Sequence, residues 1–285
     1  MLVVWTAGLF FLPAALALSA RTIRVEKTLP TTSHPLITIH NIRGSVKVRG
    51  WDRQAVHAVC ELNSRRIEFF ALCIPPEARS NLVQIETREV KASPASSDER
   101  ADYVIEVPRD ASVEILDPMG SVTLEGLRGD ATVNSIGASV FVSDVSGHLH
   151  VQTIEGNIQI VRAAGRVEAY SVDGNLHFIH PTTARLLGNT TTGKIIYEGG
   201  FASGGYYVLK DYSGEVDIFC PLTASFELSA RSVRGKVENE MPMKPRRILA
   251  SPFPQSTSFV GEDSTGAALV KATSFSGTIR VRPLQ

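Results

Sequence analysis

From Gly120 onward the apolar positions recur in units of nine residues. A glycine or a small stand-in opens each unit, and apolar residues follow two, four and seven places later. Gly120 leads Val122, Leu124 and Leu127; Gly129 leads Ala131, Val133 and Ile136; Ala138 leads Val140, Val142 and Val145. Gly147 leads Leu149, Val151 and Ile154, Gly156 leads Ile158, Ile160 and Ala163, and Gly165 leads Val167, Ala169 and Val172. Gly174 leads Leu176 and Phe178 before Pro181 breaks the pattern. Such alternation predicts short strands with one apolar face. A unit this small cannot bury that face alone and must stack on copies of itself. The expected fold is an all-β parallel β-solenoid.

Past residue 174 the period loosens without ending. Units open at Ala184, Gly193, Gly205, Gly214, Phe226, Gly235, Ala268 and Gly277, at intervals of 9, 12, 9, 12, 9, 33 and 9. Every second interval stays at nine while the others absorb insertions. This predicts two short strands and about 18–21 residues per turn, with tight corners on one side and permissive corners on the other. The largest excursion, near 240–266, holds Pro242, Pro245, Pro252 and Pro254 and reads as a loop.

The tight corners carry a second signature. Ser135, Thr153, Ser171, Thr190, Asp211, Ser232 and Ser274 each stand three residues before a unit's opening position. On a coil they form a column about 4.8 Å apart. Short hydroxyls and carboxylates there can satisfy turn amides, so the column is expected to be structural. The glycines are expected to supply positive φ at the turns.

The N-terminal part is less regular. Residues 21–36 read as an extended lead-in ending at Pro35, and Gly44 opens a unit with Val46, Val48 and Trp51. Residues 53–62 and 82–90, Asp102–Val107 and Ser112–Leu116 read as strands, 67–74 as a strand or a short helix, and 91–100 as a polar loop. The expected division is a targeting segment over 1–20, a β-rich cap with the first strands over 21–110, and the repeat solenoid over 111–285.

Residues 1–20 are uncharged and end in small residues, as in a secretory signal cleaved after Ala17 or Ala20. The n-region has no Lys or Arg, so an uncleaved anchor is the alternative, and it is the one expected membrane contact. Lys+Arg and Asp+Glu both total 29, giving zero net charge and no basic field for nucleic acid. Export would permit Cys60 and Cys73 to pair, leaving Cys220 over; the other reading is three small hydrophobes.

The segment Gly44-Ser45-Val46-Lys47-Val48-Arg49-Gly50-Trp51-Asp52-Arg53 resembles the opening segment of the bacterial "putative adhesin" family of domains of unknown function. The strand from Tyr103 to Pro108, the glycine-led run and the closing segment from Ser276 to Val281 are similar to that family as well. The resemblance spans roughly residues 35–285. It implies an exported or membrane-anchored β-solenoid of the bacterial envelope, and it supplies no catalytic residues.

Chemistry is sparse. His148 and His150 share a strand face, where Glu168 of the next turn could join them, while His177 falls on the opposite sheet. Exposed His on a strand more often titrates than binds metal, so no metal is expected. Corners such as Thr153-Ile154-Glu155-Gly156 lack the glycines of a calcium-binding nonapeptide loop. Asp98, Glu99 and Asp102 cluster in a polar segment and Asp173, Glu215 and Asp217 are scattered, without the facing acid pair of a glycosidase. No nucleophile elbow, phosphate loop or zinc-protease motif occurs, and no cofactor is expected. Phe141 and Tyr206 fall on outward positions and, with His148 and His150, are the candidate recognition residues. The expected function is non-enzymatic: an exported envelope protein offering a rigid surface to a protein or glycan. A purely structural protein, or a polysaccharide-active enzyme with acids or acid–base clusters in a cleft, is the alternative.

Overall fold

The computed structural model describes residues 22–74, 80–90, 98–245, 257–262 and 267–284. It is all-β, with 24 strands in one continuous sheet and no helix among the described residues. The sheet folds at its corners into two facing stacks of mostly parallel strands. The front stack runs Gly120–Glu125, Ser139–Ser143, Ile158–Val161, Leu176–Ile179, Ile195–Glu198 and Val216–Cys220. The back stack runs Ser112–Leu116, Ala131–Asn134, His148–Gln152, Arg166–Tyr170, Arg185–Asn189 and Tyr206–Lys210. The register is that of the sequence repeat: Val140 pairs with Ile158 and Leu149 with Val167.

The core between the stacks is a single apolar cluster. Val122, Val140, Ile158, Leu176 and Ile195 form one inward column of the front stack and Ala131, Leu149, Val167 and Leu186 one of the back, all at most 2% exposed. Each such aliphatic side chain contributes about 1.5–3 kcal/mol by leaving water. Residues 67–74 resolve as a strand paired antiparallel with Ser80–Glu89, and the lead-in continues through Pro35 as the strand Ile23–His40.

The order of turns departs from chain order at both ends. Gly44–Trp51 sits between Ala101–Pro108 and Gly120–Glu125, while 36–40 sits between Ser80–Glu89 and Ser112–Leu116. At the far end Leu269–Ser274 lies between Tyr206–Lys210 and Glu227–Ser232, and Ile279–Pro283 between Val216–Cys220 and Val237–Asn239. The first and last turns of the chain are thus inserted between turns made by internal segments. Antiparallel strands close the ends: Ala55–Leu62 covers Ala101–Pro108 and Thr257–Glu262 covers Glu227–Ser232. The excursion expected as a loop near 240–266 therefore contains a strand, because Glu227–Ser232 would otherwise leave an open edge. Residues 1–20, and most of the polar stretch 91–100, lie outside the described residues.

The glycines correct an expectation. Gly44, Gly120 and Gly165 have positive φ (128, 141 and 74°), but Gly156, Gly174, Gly193, Gly214 and Gly277 do not. Their requirement is close approach. A Cβ on Gly156 would overlap the Ala138 carbonyl one turn below and stand 2.8 Å from Thr153 Oγ1. Left-handed backbone occurs instead on the opposite corners, at Gly126, Asp144, Arg162 and His180 (φ 67, 55, 49 and 46°).

Candidate functional site

The corner column is buried, with Thr153, Thr190, Ser232 and Ser274 at 1, 2, 0 and 4% exposure. The hydroxyls of Ser135, Thr153 and Thr190 accept the amide three residues on: Ala138 N to Ser135 at 2.8 Å, Gly156 N to Thr153 at 3.0 Å, Gly193 N to Thr190 at 3.3 Å. Gly235 N reaches Ser232 at 2.9 Å and Gly277 N reaches Ser274 at 2.8 Å. Several also donate to the carbonyl of the neighbouring turn, as Thr190 does to Gly174 O at 3.0 Å and Ser232 to Gly277 O at 2.8 Å. Ser171 contacts Gly156 O at 3.5 Å, and Ser274 donates to Asp211 Oδ2 at 3.2 Å across the inserted turn. Burial raises the Asp211 carboxyl pKa, an effect moderated by the Gly214 amide and the Ser274 hydroxyl.

Two further members of the column precede the run counted from the sequence. Asn41 and Asp117 stand three residues before Gly44 and Gly120, and that spacing was the available signal. Asn41 donates to Ala101 O at 3.1 Å. Asp117 is fully buried and neither carboxylate oxygen has a well-formed hydrogen bond. Burial pushes its pKa up to about 7, the Met119 amide easing it slightly and Asp102 adding repulsion.

The back face gathers three of the four recognition candidates onto one surface. His148 pairs in register with Arg166, and Arg166 with Arg185, which pairs with Tyr206. The next outward column reads His150, Glu168, Leu187, Val208 and Lys271. Glu168 accepts contacts from His150 Nδ1 at 3.3 Å, His148 Nε2 at 3.8 Å and Arg166 at 2.5 Å. Its partial burial opposes ionisation, but His150, Arg166 and His148 outweigh that and hold its pKa below the usual range. Tyr170 stands 5.4 Å from the His150 ring, and Lys271 lies over the Tyr206 ring at 5.3 Å. Beside them is a shallow depression of about 210 Å³, floored by Leu187 and Val208 and bordered by Arg166, Arg185 and Tyr206. Lys271 was invisible as a neighbour because its turn is inserted out of chain order. Tyr206 is 42% exposed beside the fully buried Tyr207.

Phe141 is half-buried on the front face, between Thr123 and Gln159, and the structure does not bring it to the other three. His177 is also on the front face, bound to Glu198 at 2.7 Å. No group of three or more His, Cys, Asp or Glu suited to a metal occurs among the described residues.

An acid–base group lines a depression of about 450 Å³ at the N-terminal end, where Arg24, Lys47, Glu61, Arg100 and Asp102 meet, with Arg100 on Asp102 at 3.0 Å and Arg24 on Glu61 at 3.9 Å. A second group lies on the front face of the later turns. Lys194 meets Asp217 at 2.5 Å and Glu215 at 3.5 Å, while Arg280 meets Glu215 at 2.9 Å, Asp217 at 3.5 Å and Glu238 at 3.3 Å. These charges pair with one another on the front-face strands, and none lines the four depressions bordered by Tyr206, Lys47, Arg282 and Phe69. The cysteines are free: Cys60 and Cys220 are buried and Cys73 is intermediate. Burial pushes the Cys60 and Cys220 thiols up to about 12, with Asp102 and Glu61 adding to the effect at Cys60, so neither supplies a thiolate near neutrality.

No helix among the described residues is long and apolar enough to cross a membrane. No family model matches the chain, and no curated protein matches it. Among solved structures it is similar to a "putative cell adhesion protein" from Clostridium sporogenes, at 11% identity over 92% of this chain and 100% of that one, with a TM-score of 0.32. It is also similar to a "putative adhesin" from Bacteroides fragilis, at 10% identity over 92% and 97% of the two chains, with a TM-score of 0.47.

Proposed function

We propose that this chain is a non-enzymatic, exported protein of the cell envelope that binds through the outer face of its back stack. The observation that carries the reading is that His148, His150 and Tyr206 share one outward face of a fully paired sheet, with an open depression between them that Tyr206 borders and the histidines' partners Arg166 and Glu168 line. The uncharged run over 1–20 supports export, and the stacked coil supports a stiff display surface. Recognition residues on a stiff scaffold lose little entropy on binding, which suits adhesion to an extended partner.

The test is retention of sheared cell envelopes on beads carrying the purified chain. Wild type retains them, His150→Ala with Tyr206→Ala retains several-fold less, and Phe141→Ala on the opposite face retains as much as wild type. Equal retention by all three, or loss with Phe141→Ala alone, would overturn the assignment of the face.

A further inference from the structure

The chain has no net charge, but its charges are not spread evenly over the coil. On the front face of the later turns, cations are held by carboxylates in the Lys194–Asp217, Arg280–Glu215 and Arg282–Glu240 pairs. On the back face, the outward positions of the strands His148–Gln152, Arg166–Tyr170, Arg185–Asn189, Tyr206–Lys210 and Leu269–Ser274 carry Arg166, Arg185, Lys210 and Lys271 against the lone carboxylate of Glu168. Glu168 is already held by Arg166 and the two histidines. Arg185 and Lys210 have no ion-pair partner among the described residues, and Lys271 rests on an aromatic ring.

We propose that the back-face depression binds an acidic polysaccharide, one sugar ring resting on Leu187 and Val208 and its carboxylate received by Arg185. This rests on the binding reading above and names its ligand class. Three features favour it. The floor is aliphatic and open, matching the C–H face of a pyranose, and Tyr206 stands exposed at the rim. The guanidinium of Arg185 offers the planar fork that suits a carboxylate. Arg166 and Arg185 pair in register on adjacent turns about 4.8 Å apart, and Lys210 and Lys271 follow on the next two turns at other positions along the strands, so an acidic polymer crossing the turns meets a cation on each. An acidic peptide fits less well, because the backbone of these strands is paired on both sides and leaves no edge for strand addition.

The experiment measures binding of the purified full chain to polygalacturonate and to its methyl ester, which keeps the ring and removes the charge. Wild type binds the acid form, with affinity falling as salt rises, and binds the ester at least tenfold more weakly. Arg185→Gln and Leu187→Glu each weaken acid binding by about tenfold or more, with melting temperatures unchanged for Arg185→Gln. Arg128→Gln, at a distant corner, leaves it unchanged. No binding of polygalacturonate, equal binding of the ester, or an unaffected Arg185→Gln variant overturns the proposal. If envelope retention still depends on His150 and Tyr206 while polygalacturonate fails, the ligand class falls and the binding face stands. If both fail, both readings fall.

Discussion

At the scale of single residues, the corner column shows how one hydroxyl serves two turns. Ser232 accepts Gly235 N at 2.9 Å and donates to Gly277 O at 2.8 Å, and it is fully buried. Replacing it with Val orphans both groups, at about 1–3 kcal/mol. Ser171 donates over a longer 3.5 Å, so Ser171→Val costs less. Urea unfolding of both variants checks the order, and unchanged midpoints for both would remove the structural role proposed for the column. Asp117 is the opposite case, a charge in a place built for neutral side chains, with Asn41 on the neighbouring turn. Its folded pKa, about 7, lies above the 3.8 of the free carboxyl. Its contribution is therefore fully present below the free value and is lost as pH rises through about 7, by on the order of 4 kcal/mol at most. Urea unfolding at pH 5 and pH 8 should show wild type losing more stability than Asp117→Asn. A variant with the same pH slope would show that the carboxyl ionises at no cost. The sequence carried this column plainly where it used Ser and Thr. It left out Asn41 and Asp117 because the column was counted only from Ser135 onward, although both stand at the same spacing before Gly44 and Gly120.

At the scale of elements, the two stacks hold a constant width by trading volume across the core. Phe178 replaces the aliphatics of its column, and Gly188 faces it from the back stack, where a Cβ would stand 2.8 Å from Phe178 Cε2 and 3.3 Å from Leu209 Cδ2. Gly188→Ala alone should cost about 1–3 kcal/mol through overpacking. Combined with Phe178→Leu, which opens the space, the double variant should lose about 1 kcal/mol less than the sum of the singles. Additive losses in a denaturation cycle would show that the two positions do not share that volume. The strands themselves were legible, since alternation and glycine spacing are local properties repeated many times. The conformation at the glycines was not. A requirement for close approach and one for positive φ select the same residue, and only stacked coordinates separate them at Gly156.

At the scale of the whole molecule, the order of turns was the part the sequence could not express. Every turn presents nearly the same strand edges and the same apolar columns, so any turn can stack on any other, and spatial order is set by which gaps the connections leave. The chain exploits this by running from Cys220 past an empty position to Glu227 and later returning to fill it with 267–284. The same arrangement places 36–51 between two internal turns at the other end. In a solenoid laid down in chain order the terminal turns have one neighbour each and fray first. Here both terminal turns have neighbours on both sides, and opening either one separates two stacked blocks. Their amides should therefore exchange with solvent only as the coil unfolds globally. Native-state hydrogen exchange should find Val270, Ala272 and Val281, all 0% exposed, as protected as Val142 or Val151 in the central turns. The 237–239 strand, paired on one side among the described residues, should exchange faster than Ile279–Pro283 despite preceding it in the chain. If protection instead declines steadily toward the C-terminus, the last turn opens independently and the insertion does not lock the coil.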